Sequence, residues 1–287
     1  MSGARLLAVP NISEGRDREA IESIARAFDA RLLDLHVDPD HNRSVVTVAG
    51  VGGELAPAVL AGAREAIERI DVTSHRGEHP RIGSLDVAPI VYLDDQARGA
   101  AHAEALVLGD LLGHELDLPV FLYGSLGGGR TRAELRRGGP DRLKERIASG
   151  ELRPDFGPPR FHPRAGAVLV AARPPLIAFN LELASPATLH DARAIAARIR
   201  EGGEEGLPGV RAIGVWLESR GVAQVSTNVE DYLATPLAEL VTAVARHGEI
   251  DQAELVGLAP QAAFDAFPSD LLVRGRTTIE DALSSSD

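Results

Sequence analysis

One order of apolar runs occurs twice in this chain, and it restricts the fold more than any single motif does. "RLLAVPNI" is an apolar run of strand length, and in "DREAIESIARAF" the residues Ile21, Ile24, Ala25 and Phe28 recur at i, i+3, i+4 and i+7, the stripe of a helix with one buried face. Two strand-like runs follow, "RLLDLHV" and "RSVVTVAG", joined by the turn-forming "DPDHN". The helical spacing of "ELAPAVLAGAREAIERI" and the strand "LDVAPIVYL" complete βαββαβ. Past Arg173 the order restarts. "PLIAFNLEL" is a strand, Ser185 and Pro186 offer a cap and first-turn proline to a helix striped by Leu189, Ala192, Ile195, Ala196 and Ile199, and "VRAIGVWLE" and "GVAQVSTNV" form a strand pair. Thr235 and Pro236 repeat the capping pattern before "LAELVTAVAR", and "AELVGL" closes the second βαββαβ. The first block continues through a helix near Gln96 to Leu116, a strand at "LPVFLYG" and a basic helix from Arg132 to Ile147.

The expected architecture is α+β: two ferredoxin-like, or split βαβ, subdomains, residues 1–175 and 176–287, each an antiparallel sheet with helices on one face. Such units often face each other across a cleft that takes a ligand. The C-terminal "RGRTTIEDALSSSD" is polar and serine-rich, and its end is expected to be loosely held.

Composition narrows the function. With 287 residues and 44% apolar content the chain can bury a sizeable core. No apolar run approaches the roughly 20 residues of a membrane span, and the N-terminus lacks the layout of a secretion signal, so a cytoplasmic protein without membrane contacts is expected. The chain has no cysteine, which excludes disulfides, thiolate nucleophiles and cysteine-ligated zinc. A formal net charge of −12 argues against broad neutralisation of nucleic-acid phosphates, so any cations that meet an anionic ligand must be local.

The stretch "TSHRGEHPRIG" gathers such cations with two histidines. Three readings compete for it. His75 and His79 are four apart, a spacing that suits zinc on a helix, but Gly77 and Pro80 oppose a helix here and no third-ligand pattern stands nearby. A solvated turn is the bland reading. The third is a general base: Gly77 and Gly83 allow close backbone approach, Pro80 stiffens the chain beside His79, and Arg76 and Arg81 bias an imidazole toward its neutral form. Two other loops carry similar groups. "VPNISEG" places Asn11, Ser13 and Glu14 beyond a strand end, and "DPDHNRS" places His41, Asn42 and Arg43 between strands, where an asparagine ordinarily serves for its tolerance of unusual backbone angles. "RPDFGPPRFHPRAGA" is too rich in glycine and proline for regular structure, yet it is aromatic in a chain that is only 4% aromatic overall. It reads either as a surface for a planar heterocycle with a carboxylate tail or as a structural loop that pins the two lobes.

In order along the chain, "VPNISEG", "NRSVVTVAG", "HRGEHPRIGSLDVAPI", "LPVFLYG", "RPDFGPPRFHPRAGA", "PLIAFNLEL", "LPGVRAIG" and "AQVSTNVEDYLATPL" resemble the formiminotransferase domain family, from about Leu6 to about Leu258. The resemblance implies a homodimer, tetrahydrofolate as co-substrate without a metal, and transfer of the formimino group of N-formimino-L-glutamate to the folate N5 in histidine degradation and one-carbon metabolism. His79 takes the family's general-base position. Gly157, Pro158, Pro159, Arg160, Phe161, His162, Pro163, Arg164, Ala165 and Gly166 take its folate-contact position. Asn11, Asn42, Arg43, Arg76 and Arg81 are the further expected substrate contacts, the arginines as partners for carboxylates. The chain has no room for the cyclodeaminase domain fused to this one in bifunctional relatives, so another enzyme is expected to process the product.

Three departures from the family pattern stand out. "GAVLVAAR" carries Val168 in place of a hydroxyl and Ala171 in place of a glycine, and "NLEL" carries Glu182 in place of an amide. A carboxylate at 182 facing the ligand would repel an anionic substrate unless an arginine answered it. These departures leave two alternatives open: a folate-binding paralogue without turnover, or a formimino- or formyl-group transferase or hydrolase with a different donor.

Overall fold

Pro10 has no N–H to give a sheet, and the first apolar run breaks there into β1 (Arg5–Ala8) and β2 (Asn11–Ile12). The structure, a computed structural model, describes residues 4–75 and 81–285. The chain divides into two units, Met1–Pro174 and Pro175–Asp287.

In the first unit β2 leads to α1 (Arg18–Ala27), β3 (Arg31–Asp38), β4 (Arg43–Val51), α2 (Leu55–Arg69) and β5 (Leu85–Tyr92). Then come α3 (Arg98–Glu115), β6 (Val120–Leu122), α4 (Arg132–Arg136), α5 (Gly139–Ala148) and β7 (Val168–Arg173). β3 pairs with β4, β4 with β1 and β2, and these with β5, all antiparallel. The helix stripe read from the sequence is the buried face of α1: Ile21 and Ile24 are buried, each worth about 1.5–3 kcal/mol, and Phe28 follows them inward. Gly62 of α2 admits the Phe28 ring, since a Cβ there would lie 2.5 Å from it.

Beyond β5 the sheet differs from the expected all-antiparallel, one-sided form. β7 pairs in parallel with both β5 and β6. Its sequence "VLVAAR" shows no alternation because both faces are buried. Val168, Val170 and Ala172 join the core beneath α2 and α3, while Leu169 and Ala171 meet Phe121 of β6 and Leu135, Leu143 and Ile147 of α4 and α5 on the other face. Helices therefore cover both faces at this edge. The single basic helix expected from Arg132 to Ile147 is two helices, because Gly138 and Gly139 take left-handed φ values of 82° and 74° between them. Asp86, buried on β5, ties α4 down by accepting from Arg136 and from the Ile82 N–H.

The second unit contains β8 (Ile177–Leu183), α6 (Leu189–Ile199), β9 (Val210–Leu217), β10 (Val222–Val229), α7 (Leu237–Ala245), β11 (Ile250–Val256), β12 (Val273–Arg274) and α8 (Ile279–Ser284). Its strand order is β12-β11-β8-β10-β9, with β11 and β12 parallel and the other pairs antiparallel. In both units the four strands of the βαββαβ run stand in the same order: second, third, first, fourth. One face of the second sheet, with Phe179, Leu181, Val225 and Leu255, packs on Ile195, Leu240 and Val244 of α6 and α7.

Both caps read from Ser/Thr-Pro pairs fall elsewhere. Thr188 caps α6 in a reciprocal box with Asp191, because a carboxylate stands three residues after Thr188 and none stands three after Ser185. Thr235 donates its hydroxyl to the Pro208 carbonyl at 2.8 Å, and Pro236 itself takes the cap position of α7. The C-terminal stretch carries β12 and α8, with Thr278 capping α8 and Ile279 and Ala282 buried; Ser286 and Asp287 lie outside the described residues.

Candidate active site

The loop after β2 is held from two sides. Ser13 donates its hydroxyl to the Gly83 carbonyl at 2.6 Å and its N–H to Ser84 at 2.8 Å. One Glu14 oxygen accepts the N–H groups of Gly15, Arg16 and Asp17 at 2.7–3.0 Å, so this carboxylate shapes the entry to α1. Gly15 passes so close to the β3–β4 turn that a Cβ would lie 2.2 Å from the Asp38 carbonyl oxygen. Its N–H donates to Asn42 Oδ1 at 2.8 Å, and Asn42 has a left-handed φ of 48°. The turn position and the amide chemistry of Asn42 are thus both used. Asp38 accepts from the His41 N–H and ring within the same turn. Burial opposes the Asp38 charge, but the His41 hydrogen bond and charge, with Arg43 adding to them, outweigh it and bring the carboxyl down to about 2.

His75 joins this frame. Its Nε2 lies 2.9 Å from the Asn42 carbonyl, which fixes Nε2 as the donor and leaves Nδ1 as an acceptor; that Nδ1 is buried and has no hydrogen-bond partner. Burial pushes the His75 pKa below its ordinary value, the nearby Arg81 and Arg16 charges push the same way, and the Asn42 bond and Glu14 pull against them. Arg81 donates to the His75 carbonyl, so part of its hydrogen-bonding capacity holds the loop. Arg76 and His79, with Gly77, Glu78 and Pro80, lie outside the described residues. Asn11 sits within β2, not beyond it, paired with Val45 and Val87.

The 157–166 segment reaches the same place. Val72 donates to the Arg164 carbonyl at 3.0 Å, Ser84 to Ala165 at 2.9 Å and Ala167 to Ile82 at 2.9 Å, which stitches the segment to both flanks of residues 76–80. His162 and Gly166 exchange two backbone hydrogen bonds at 3.0 Å, and His162 Nδ1 accepts from Ala165 at 2.8 Å and Arg164 at 3.3 Å. Burial, then the Arg160 and Arg164 charges, lower the His162 pKa, with Asp117 opposing, so this ring too is held neutral. Phe161 packs half-buried against the Phe121 and Leu143 cluster. Phe156, by contrast, belongs to the fold: its ring covers Gly109 of α3, where a Cβ would lie 2.8 Å away, and Gly157 turns beside it with φ 76°. Arg130 Nη2 grips both Asp155 oxygens at 2.8 and 2.6 Å. Pro159, Arg160, Pro163 and Arg164 are exposed and Pro158 is half-buried; Arg160 meets Asp117 only at 3.6 Å and Arg164 meets Asp71 at 4.0 Å, pairs that water weakens to little.

Gly166 sets the junction. With φ 77° and a Cβ that would lie 2.1 Å from the Ile82 carbonyl oxygen, it admits no side chain. Gly166→Ala is expected to cost about 2–3 kcal/mol in urea denaturation. An unchanged midpoint would show that segment and strand are not stitched together here.

Among the described residues no group of three or more His, Asp or Glu stands close enough to hold a metal ion. Val168 and Ala171, two of the departures, are fully buried in the two opposed cores of the first unit, so they are packing substitutions. Glu182 is 2% exposed on β8 and is answered by two arginines, Arg220 and Arg274, with Gln252 donating to its second oxygen at 2.9 Å. Sequence reasoning missed that compensation because Arg220 and Arg274 lie 38 and 92 residues away. It also missed the His75–Asn42 tie, for which residue spacing holds no signal.

Comparison with known proteins supplies the ancestry. The family described as the formiminotransferase domain, N-terminal subdomain, matches residues 5–173, and the formiminotransferase domain matches residues 178–269. The formimidoyltransferase-cyclodeaminase of Gallus gallus is 38% identical over 272 residues, covering 89% of this chain and 50% of that protein, so the chain spans about half the length of that relative. The glutamate formimidoyltransferases of Thermoplasma acidophilum and Streptococcus pyogenes serotype M1 are 36% and 34% identical, covering 89% of this chain in each case and 88% and 89% of theirs. With both parts of the domain matched in sequence order, the chain belongs to the formiminotransferase domain family.

Proposed function

We propose that this chain is a glutamate formimidoyltransferase, moving the formimino group of N-formimino-L-glutamate to N5 of tetrahydrofolate. The observation that carries the reading is the relation to two glutamate formimidoyltransferases over about nine-tenths of both partners. In the reaction the folate N5 bonds to the formimino carbon and loses its proton, and the bond from that carbon to the glutamate nitrogen breaks as this nitrogen takes up a proton. His79 is the proposed base and then acid for these transfers. Support comes from its surroundings: the loops bearing Ser13, Asn42, His75 and Arg81 and the 157–166 segment converge on the two flanks of residues 76–80. Arg43, Arg76, Arg81, Arg160 and Arg164 are the proposed partners of substrate carboxylates, and Asn11 and Asn42 the proposed amide contacts. Holding two substrates together in a fixed orientation supplies the rest of the acceleration.

The proposal includes two ferredoxin-like subdomains, residues 1–175 and 176–287, supported by the shared strand order of the two βαββαβ runs. It includes a homodimer, as the family resemblance implies, and a cytoplasmic location. Among the described residues no helix is long and apolar enough to cross a membrane.

The test is direct. Purified protein, N-formimino-L-glutamate and tetrahydrofolate are expected to give the absorbance of the substituted folate. Absence of product, while a related enzyme turns over in the same buffer, overturns the assignment.

A further inference from the structure

The outer strands of the two sheets are β3, β6, β12 and β9, and their edges are not alike. β3 carries a bulge between Leu32 and Asp34, β6 runs only from Val120 to Leu122 and β12 only from Val273 to Arg274. Bulges and short length of this kind keep a strand from pairing with another chain. β9 has neither. Its 8 residues, Val210–Leu217, pair with β10 without a register shift and contain no proline.

Hydrogen bonds at the start of β9 fix which residues point outward. The Gly209 carbonyl accepts from the Glu230 N–H, just past the end of β10, whereas Val210 turns the other way, donating to the Leu207 carbonyl at 3.2 Å and accepting from the Glu201 N–H at 2.8 Å. Alternation then aims the N–H and C=O groups of Ala212, Gly214 and Trp216 away from β10. Among the described residues none of these groups has a hydrogen-bond partner. Helix α6 does not take them: it packs on the face of the strand, where a Cβ at Gly214 would lie 2.2 Å from the Arg193 nitrogen and Ala212 shares a core with Ile195. Backbone groups without partners are left to water, so this edge is open. Ile213, which alternates to the other face, is 46% exposed.

We propose that the edge is closed by β9 of a second copy of this chain, running antiparallel about a two-fold axis at Gly214 and joining two five-stranded sheets. The inference names the surface of the homodimer included in the proposed function. In this register the strand is complementary to itself. Gly214 meets the partner's Gly214, and Ala212 meets the partner's Trp216, a small residue opposite a large one. Every outward group is then bonded. A slip by one step sets Trp216 against Val210, whose groups are already taken, or Ala212 against Glu218 in the turn. On the other face Ile213 stands directly opposite the partner's Val215, with Cα atoms about 4.5 Å apart as in other non-hydrogen-bonded pairs.

The chain has no cysteine, so an introduced disulfide can report that pairing. Ile213→Cys and Val215→Cys are purified separately, mixed, left to exchange subunits and oxidised. A covalent dimer is expected from the mixture and little from either variant alone, because the pair spacing falls within disulfide range. Sedimentation velocity is expected to show a wild-type dimer, and Ile213→Lys, which puts a charge on each edge, is expected to raise its dissociation constant by about 10-fold or more without loss of the folded circular dichroism signal. Wild-type protein that stays monomeric at all concentrations overturns the inference together with the homodimer, while formimino transfer stands or falls by its own assay. A wild-type dimer that neither cross-links in the mixture nor weakens in Ile213→Lys overturns the inference and leaves the homodimer standing. Efficient cross-linking of Ile213→Cys alone would move the axis to residue 213 and overturn the register. Should Val215→Cys fail to fold, Ile213→Lys decides alone.

Discussion

Replacing His79 with alanine is expected to lower kcat for formimino transfer by about 10²- to 10⁴-fold, the range that positioned proton transfer ordinarily contributes. The folate dissociation constant should move less than about threefold, since a proton shuttle acts on the reacting nitrogen and the proposed folate contacts are spread over the 157–166 segment and the arginines. His75 is the obvious rival, four residues away with an unpaired buried Nδ1. Its other nitrogen, however, is committed to the Asn42 carbonyl, and that bond ties the loop to the β3–β4 turn. His75→Ala should therefore weaken substrate binding and kcat together by loosening the loop, whereas His79→Ala should strike kcat alone. Burial lowers the pKa of both His75 and His162, so neither ring should titrate in the usual histidine range near about 6.5. An acid limb of the wild-type rate profile that persists in His75→Ala and is lost in His79→Ala would assign the base to residue 79. Steady-state kinetics with stopped titrations of each variant separates the two histidines; full activity in His79→Ala would remove it from the chemistry.

What the sequence discloses depends on the range of the interaction. The stripe Ile21, Ile24, Ala25 and Phe28 and the alternating strands are local patterns, and both βαββαβ runs follow from them. β7 escaped because a strand buried on both faces has no period to detect, and it follows a glycine- and proline-rich run that reads as loop. The break at Gly138 and Gly139 was visible as two glycines, but a stripe of basic residues on both sides masked it. At the site, residue types were legible and roles were not. Asn42 was read as a turn former, and it is one, yet the same residue also receives Gly15 and holds His75. The aromatic run at 156–161 reads either as ligand surface or as structural loop, and Phe156 takes the second part: Gly109, 47 residues earlier in sequence, lets its ring pack against the core. Contacts of this kind connect positions no local window spans.

The Glu182 cluster shows the same long reach with the second large expected effect. Removing both cations, as Arg220→Ala with Arg274→Ala, is expected to cost about 3–5 kcal/mol, because it strands a carboxylate that is 2% exposed with Gln252 as its only remaining donor among the contacts described. Removing the carboxylate is a different perturbation. In Glu182→Gln the arginines keep an amide oxygen to bond, and both are already 30–38% exposed, so they can turn to water at little cost. That substitution should change stability by less than about 1 kcal/mol. The triple variant should then recover most of what the double arginine variant loses, giving a coupling of several kcal/mol by denaturant titration. Such a result means that the departure at 182 was accommodated by its two arginines as a unit. Additive losses in the triple variant would instead show that Arg220 and Arg274 stabilise the second unit through other contacts, Arg274 with Glu254 at 3.3 Å foremost.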